Sequence, residues 1–129
     1  MTTSREQPTG NNFVEMLTPA AGWDMTQAWT SPTIATINIR DLAFQALFPL
    51  TAKGTFEFWG SLFPDVLGFT KLTVPDSWSG GNPAGTKTSA IFEALPNAIP
   101  YWQVRYIPDG SLPGTGLLKM GVCGKDSRA

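Results

Sequence analysis

The sequence contains no histidine and one cysteine, Cys123. Without histidine, a serine or cysteine nucleophile lacks its usual general base, and zinc, copper and non-haem iron sites lose their commonest ligand. A lone cysteine cannot form an internal disulfide, which excludes a disulfide-stapled secreted scaffold and favours folding inside a cell. Cys123 ends an apolar stretch and is predicted to be a small core residue rather than a nucleophile. No catalytic, cofactor-binding or metal-binding residue is predicted.

Charge is also scarce, with nine basic against ten acidic residues in a chain of 129. This balance argues against a protein that holds nucleic acid on a basic surface. No apolar run approaches the length of a membrane helix, and residues 1–12 are polar. Neither a membrane span nor a secretory signal is therefore expected.

The chain is instead rich in turn-forming and aromatic residues, with 13 glycines, 11 prolines and five tryptophans. This composition is typical of many short strands joined by tight turns, and the length suits one domain. We expect a flexible N-terminal arm over residues 1–12, a β-sandwich domain over 13–123 and a flexible tail over 124–129. The predicted fold is all-β, an antiparallel jelly-roll-like sandwich with one short helix.

The segment Thr33–Arg40 is dense in β-branched residues and is predicted to be a strand. Its apolar face is expected to consist of Ala35, Ile37 and Ile39. After Asp41, which can cap a helix, the two-residue alternation is lost, and residues 42–48 are predicted to form the short helix.

Further strands are predicted over residues 55–62, 69–74, 101–106 and 117–122. In the third of these, Trp102, Val104 and Tyr106 share one face. Thr88–Leu95 fits both a helical stripe and one face of a strand, so its conformation stays open.

The glycine-rich stretch Gly80–Thr88 comes close to the phosphate-loop pattern G-x-x-x-x-G-K-[ST]. Thr86 stands where the lysine is required, and Lys87 comes one residue late. Such a loop works only if its amides and its ammonium group converge on one phosphate. A surface loop rich in turn residues is therefore predicted.

Two other patterns carry functional hypotheses. A carboxylate-based hydrolase would need acids that meet in space, and the candidates are Glu57, Asp65, Asp76 and Glu93. Large aromatics in polar surroundings either stack on sugars or bases, or bury themselves at contacts between subunits. The tryptophans in question are Trp23, Trp29, Trp59 and Trp78.

The run Ala35–Leu42 with the predicted helix, followed by Gly54–Leu62, resembles the strand, helix and strand succession of jelly-roll coat proteins of small icosahedral RNA viruses, particularly the picorna-like plant viruses. The resemblance covers about a third of the chain. It implies a non-catalytic virion subunit, folded in the host cytoplasm, that assembles with copies of itself and with other virion proteins.

On this interpretation Trp23, Trp29 and Trp59 are candidate anchors of the assembly interface. Contact with nucleic acid stays open, but not through a basic arm, because residues 1–12 contain one arginine and one glutamate. A membrane partner is not expected. The alternative hypothesis is a soluble β-sandwich module that binds a carbohydrate or small ligand on exposed tryptophans.

Overall fold

Strands with inward-facing apolar side chains make up about half of the residues described by a computed structural model, which are residues 12–63, 68–110 and 116–126. Ten strands and one short helix follow one another in this described part. They are β1 Phe13–Met16, β2 Trp23–Asp24, β3 Trp29–Thr30, β4 Ile34–Ala35, β5 Ile39–Leu47, β6 Gly54–Ser61, β7 Thr70–Lys71, α1 Asp76–Ser79, β8 Ser89–Ala94, β9 Tyr101–Pro108 and β10 Leu117–Asp126.

The strands form two antiparallel sheets. The first sheet has the order β1-β10-β5-β8, with β2 also paired to β10, and the second has the order β3-β9-β6-β7, with β4 also paired to β9. The pairs β1 with β10, β3 and β4 with β9, β5 with β8, and β6 with β7 are nested around the β6–β7 connection. The chain thus folds as one long hairpin whose strand pairs are shared between two sheets. This nesting is the jelly-roll arrangement, and the predicted all-β sandwich is confirmed.

Aromatic side chains fill the space between the sheets. Phe44 on β5 lies with its ring centroid 5.3 Å from that of Phe58 on β6 and 5.4 Å from that of Trp102 on β9. Phe92 on β8 packs against Phe58 at 5.1 Å. The helix α1 closes the gap at one side, because its Trp78 contacts rings from both sheets. These rings join the two sheets into one core.

The prediction of a helix over residues 42–48 is wrong, because Ile39–Leu47 is the strand β5. Leu42, Phe44 and Ala46 face the core at every second position, whereas Leu47 is exposed on the opposite face. Apolar residues on both faces conceal the two-residue alternation in the sequence. The only helix assigned in the described residues is α1, and the helical part of the family resemblance is corrected accordingly.

The strand predicted over Thr33–Arg40 is interrupted. It divides into β4 and the start of β5, separated by a turn in which Asn38 has a φ of 66°. The turn changes the phase of the alternation, so that Ile34 and Ile39 are buried while Ile37 is 55% exposed. The apolar face predicted for this segment is therefore wrong for Ala35 and Ile37, which both face solvent.

The structure contains strands in all the remaining segments that were predicted to be strands or left open. The segments 101–106 and 117–122 lie in β9 and β10, with Trp102, Val104 and Tyr106 buried as expected. The segment 55–62 lies in β6 except for Leu62, which follows the strand and is exposed. Of 69–74 only Thr70–Lys71 is a strand. The open segment Thr88–Leu95 forms β8.

The predicted ends of the domain need one correction. β10 continues to Asp126, so residues 124–126 belong to the sheet rather than to a flexible tail. Gly124 pairs with Phe13 of β1 and with Leu42 of β5. Residues 1–11 and 127–129 lie outside the described residues, and so do most of the predicted arm and the rest of the predicted tail.

Candidate interaction surface

The outer face of the first sheet is apolar at positions where a solvated antiparallel sheet normally carries polar residues. On β1, Phe13 faces the core while Val14, on the other face, is 59% exposed. On β8, Phe92 faces the core while Ile91 is 63% exposed. Each strand therefore exposes a large apolar side chain on its outer face in addition to the one that it buries. A sheet of this kind leaves apolar area in water unless another molecule covers it.

Strand register brings these distant residues into adjacent rows. In one row, Cys123 of β10 lies between Val14 of β1 and Ala43 of β5. In the next row, Gly121 of β10 lies beside Met16 of β1. The small side chains at the centre of both rows lower the surface between the larger ones.

The resulting shallow depression, which we call the trough, has a volume of about 380 Å³. Its apolar lining comprises Val14, Met16, Ala43, Leu47, Ile91 and Cys123. The element pairs that bring these residues together are β1 with β10, β10 with β5, and β5 with β8. The trough thus exists only when the first sheet is complete.

Two oppositely charged residues stand at opposite corners of the trough. Lys119 of β10 lies in the row of Leu47, and Glu93 of β8 lies in the row of Ala43. Neither forms an ion pair with any other residue in the described part of the chain. Gln45 lies in the row between these two charges, beside Ile91.

Cys123 faces outward in this trough, so its predicted place in the core is wrong. β10 alternates with Leu118, Met120 and Val122 buried, which puts Cys123 on the exposed parity. Lys119 and Lys125 share this parity and mark the outer face in the sequence, although Leu117 and Gly121 on the same face are uncharged.

The predicted tryptophan anchors differ in how far their rings are exposed. Trp29 is 6% exposed and belongs to the core, as do Trp78 and Trp102. Trp23 is half-buried on β2, where its indole N–H donates to the Gln27 carbonyl oxygen at 3.0 Å. Only Trp23 and Trp59 of the five tryptophans therefore offer partly exposed rings.

Trp59 lies on the outer face of the second sheet, where neighbouring polar groups cover it. The guanidinium carbon of Arg105 is 3.6 Å from the centroid of its ring. Its indole N–H donates to Glu57 at 3.1 Å, and Glu57 forms an ion pair with Lys71, also at 3.1 Å. Because Trp23 and Trp59 belong to different sheets, they do not form a shared platform for a flat ligand.

The four candidate carboxylates are also separated. Glu57 is on the second sheet, Glu93 is on the first sheet, and Asp76 begins α1. Asp65 lies outside the described residues. The described residues contain no group of three or more Cys, Asp or Glu placed to hold a metal ion. The structure thus does not bring Glu57 and Glu93 together as an acid pair.

The glycine-rich loop has structural reasons for its glycines. A Cβ on Gly81 would lie 2.6 Å from the ring of Phe92, and Gly85 has a φ of 81°. The ammonium group of Lys87 donates to the Gly80 carbonyl oxygen. The helix α1 precedes this loop and the strand β8 follows it, the reverse of the order in a phosphate loop.

A second apolar depression lies at one end of the sandwich, where the β4–β5, β6–β7 and β8–β9 connections meet. It has a volume of about 500 Å³ and is lined by Ile37, Leu62 and Ile99 among others. Leu62 is 69% exposed and Ile37 is 55% exposed. We call this region the end patch.

Among the residues described, no helix has the length and hydrophobicity that a membrane span requires.

Fold and surface together define a jelly-roll sandwich with an exposed apolar sheet face and an apolar end patch. No protein-family model matches the sequence, and no curated protein sequence matches it. Among solved structures, the coat protein of Tobacco streak virus is similar to this chain at 13% sequence identity and a TM-score of 0.34, over 95% of this chain and 91% of that chain.

Proposed function

We propose that this chain is a non-catalytic structural subunit of a virus particle, capsid or capsid-associated, that assembles through the surfaces of its sandwich. The observation that carries the proposal is the apolar outer face of the first sheet. Val14 and Ile91 are each more than half exposed there, although their strands already bury Phe13 and Phe92 on the inner face. Apolar side chains clustered in this way are typical of surfaces that another protein covers.

The fold supports the same conclusion, because two other functions of jelly rolls require features that the described residues do not provide. Jelly rolls serve mainly as viral shell domains, lectins and cupins. A cupin-like or barrel-type ligand site would need room between the sheets, but rings such as Phe44, Phe58 and Phe92 occupy that space. A lectin-like platform would need converging exposed aromatics, but Trp23 and Trp59 lie on different sheets. The shell role makes neither demand.

A shell needs at least two different contact surfaces on each subunit. A single self-complementary contact closes as a dimer, whereas a ring or shell needs a further contact that repeats around another axis. The trough lies on a sheet face and the end patch lies at an end of the sandwich. The two regions share no lining residue. Their different positions suit a subunit with more than one neighbour.

The test is the mass distribution of the purified chain by light scattering after size exclusion, over a range of concentration, pH and salt. Negative-stain images of any large fraction would show its symmetry. We expect discrete oligomers larger than a dimer, rings or shells, whose share of the sample grows with concentration because apolar contacts drive their assembly. A protein that stays at the mass of one chain under all these conditions would contradict the proposal.

A binding module would behave differently in a second measurement. If Trp23 or Trp59 bound a sugar or small metabolite, its fluorescence would change on titration with that ligand. We expect no saturable change across a broad panel of glycans and metabolites. A saturable change in a strictly monomeric sample would favour the binding module instead.

A further inference from the structure

We propose that the trough packs face to face against the trough of a second copy of this chain. The two-fold axis lies between the two facing sheets and runs diagonally over Val14 and Gln45. The inference rests on the proposed function, since it names the partner and the geometry of one assembly contact. The strand register of the first sheet, the positions of Lys119 and Glu93, and the regular spacing of strands and residues lead to this contact.

The register gives an approximate map of the outer face. Neighbouring strands lie about 4.8 Å apart, and residues two apart along a strand lie about 6.8 Å apart. On this map Gln45 is midway between Lys119 and Glu93, because it lies one strand and one row from each. The line from Val14 to Gln45 runs perpendicular to the line that joins the two charges.

This perpendicular relation makes the face complementary to itself. Rotation by 180° about the Val14–Gln45 line places Lys119 of one copy opposite Glu93 of the other, and the reverse contact follows by symmetry. Both charges lack an ion-pair partner in the described part of their own chain. The dimer therefore contains two contacts between Lys119 of one copy and Glu93 of the other. This double match favours a second copy over an unrelated partner.

The same rotation places apolar residues against one another. Ile91 of one copy falls near Leu47 of the other, and Cys123 falls near Met16. Val14 meets its own counterpart on the axis. Gln45 also meets its counterpart there, and an amide side chain suits that position because it carries both a donor and an acceptor.

The surface is small, so the dimer is expected to be weak and to depend on concentration. Two residues of one type give a matched pair of variants to test it. Ile91→Glu places a charge in the trough, whereas Ile107→Glu places the same charge on β9 of the second sheet, where Ile107 is 40% exposed. Sedimentation velocity over a concentration series should show a dissociation constant raised at least about tenfold by the first variant and little changed by the second.

Charge reversal tests the axis itself. Lys119→Glu alone and Glu93→Lys alone each put like charges opposite one another twice, so each should weaken the dimer at least about tenfold. Mixing these two variants creates a heterodimer in which both contacts are again between opposite charges. We expect the mixture to regain the association that each variant has lost. Circular dichroism would establish that each variant keeps its β structure.

Cys123 offers an independent readout, because it is the one cysteine of the sequence and lies in the trough. Its rate of labelling by a maleimide should fall at concentrations where wild-type dimers form and should stay constant in Ile91→Glu. These measurements do not require any particle to form.

The outcomes separate the two proposals. Self-association that survives Ile91→Glu, or that mixing of the charge variants does not restore, would overturn the two-fold contact but leave an assembling subunit. Dimers with the expected responses and no larger particles would support the contact and contradict the shell role. A wild-type chain that remains monomeric would overturn both.

Discussion

Phe44 and Phe58 belong to different sheets, and their ring centroids lie 5.3 Å apart at an interplanar angle of 56°. Phe44 is fully buried, and its second ring contact is Trp102. A side chain that touches two aromatic rings of the facing sheet cannot be removed without leaving a cavity between the sheets.

We expect Phe44→Ala to lower the free energy of unfolding by about 3–5 kcal/mol, because it removes a buried ring and leaves a cavity. Urea unfolding followed by circular dichroism measures this change. Phe63→Ala is the matched control, since Phe63 is 66% exposed and its loss should change stability by no more than about 0.5 kcal/mol. Equal effects of the two substitutions would contradict the place of Phe44 in the core.

Asn97 fixes the end of the sandwich through four side-chain hydrogen bonds. Its amide N–H groups donate to Thr36 Oγ1 at 3.1 Å and to the Ile39 carbonyl oxygen at 3.0 Å. Its Oδ1 accepts from the Ile99 backbone N–H and from the Trp102 indole N–H, both at 3.0 Å. These bonds connect the turn before β5 with the loop between β8 and β9.

Asn97→Ala should therefore destabilise the fold by about 2–4 kcal/mol, because several partly buried partners lose their hydrogen bonds at once. Asn97→Asp keeps the acceptor oxygen but places a carboxylate oxygen against the Ile39 carbonyl oxygen, so it should destabilise the fold as well. The exposed amide in Gln27→Ala serves as the control, and denaturant unfolding ranks the three variants. A loss for Asn97→Ala that does not exceed that of the control would remove the proposed role of this side chain.

Tyr106 makes stability depend on pH in the alkaline range. Its hydroxyl lies 3.0 Å from the Met25 carbonyl oxygen, to which it donates, and 3.2 Å from that of Lys53. Burial, with a smaller effect of the negative charge of Asp109, raises the pKa of Tyr106 to about 12 from 10.0. The folded state therefore disfavours the phenolate.

Because the folded-state pKa is the higher one, the stabilisation is complete below pH 10 and is lost as the pH rises from about 10 to about 12. Tyr106→Phe lacks the ionisable group and should show a shallower decline across this window than the wild type. Chemical unfolding at a series of pH values compares the two slopes. Parallel declines would show that Tyr106 does not cause the alkaline loss.

Arg105 shields the ring of Trp59 on the second sheet. Gln103 holds the guanidinium group in place, since its Oε1 accepts from Arg105 Nε at 3.0 Å and from Nη2 at 2.9 Å. Arg105→Gln should expose the indole to acrylamide quenching and cost no more than about 1 kcal/mol, as expected for a cation–π contact near the surface. Trp59→Phe in both backgrounds isolates the contribution of this ring. Unchanged quenching would contradict the shielding.

The parts of the fold that the sequence predicted are those where apolar and polar residues alternate clearly. β9 shows this best, because Trp102, Val104 and Tyr106 face the core while Arg105 lies on the other face. In β5 the sequence pattern predicts a helix instead, because Leu47 and Ala43 on the outer face are apolar as well. A strand that is apolar on both faces has no two-residue period to detect.

The turn at Asn38 shows a second limit. The alternation on its two sides is out of phase, so the sequence pattern predicts Ile37 on the apolar face although this residue is exposed. No residue pattern within Thr33–Arg40 distinguishes one long strand from two strands separated by such a turn. Hydrogen bonds to distant residues, such as that of Thr36 Oγ1 to the Ile99 carbonyl oxygen, hold the turn in place.

By itself, the sequence determined the class of the fold, because glycine, proline and short alternating stretches permit little else than a sandwich of short antiparallel strands. Only the tertiary structure decided the candidate surface. Val14, Ile91 and Cys123 are far apart in the chain and become neighbours of the same trough when β1, β10, β5 and β8 align in that order. The reason is physical: strand pairing across the sheet, not proximity along the chain, sets which outward side chains share a surface.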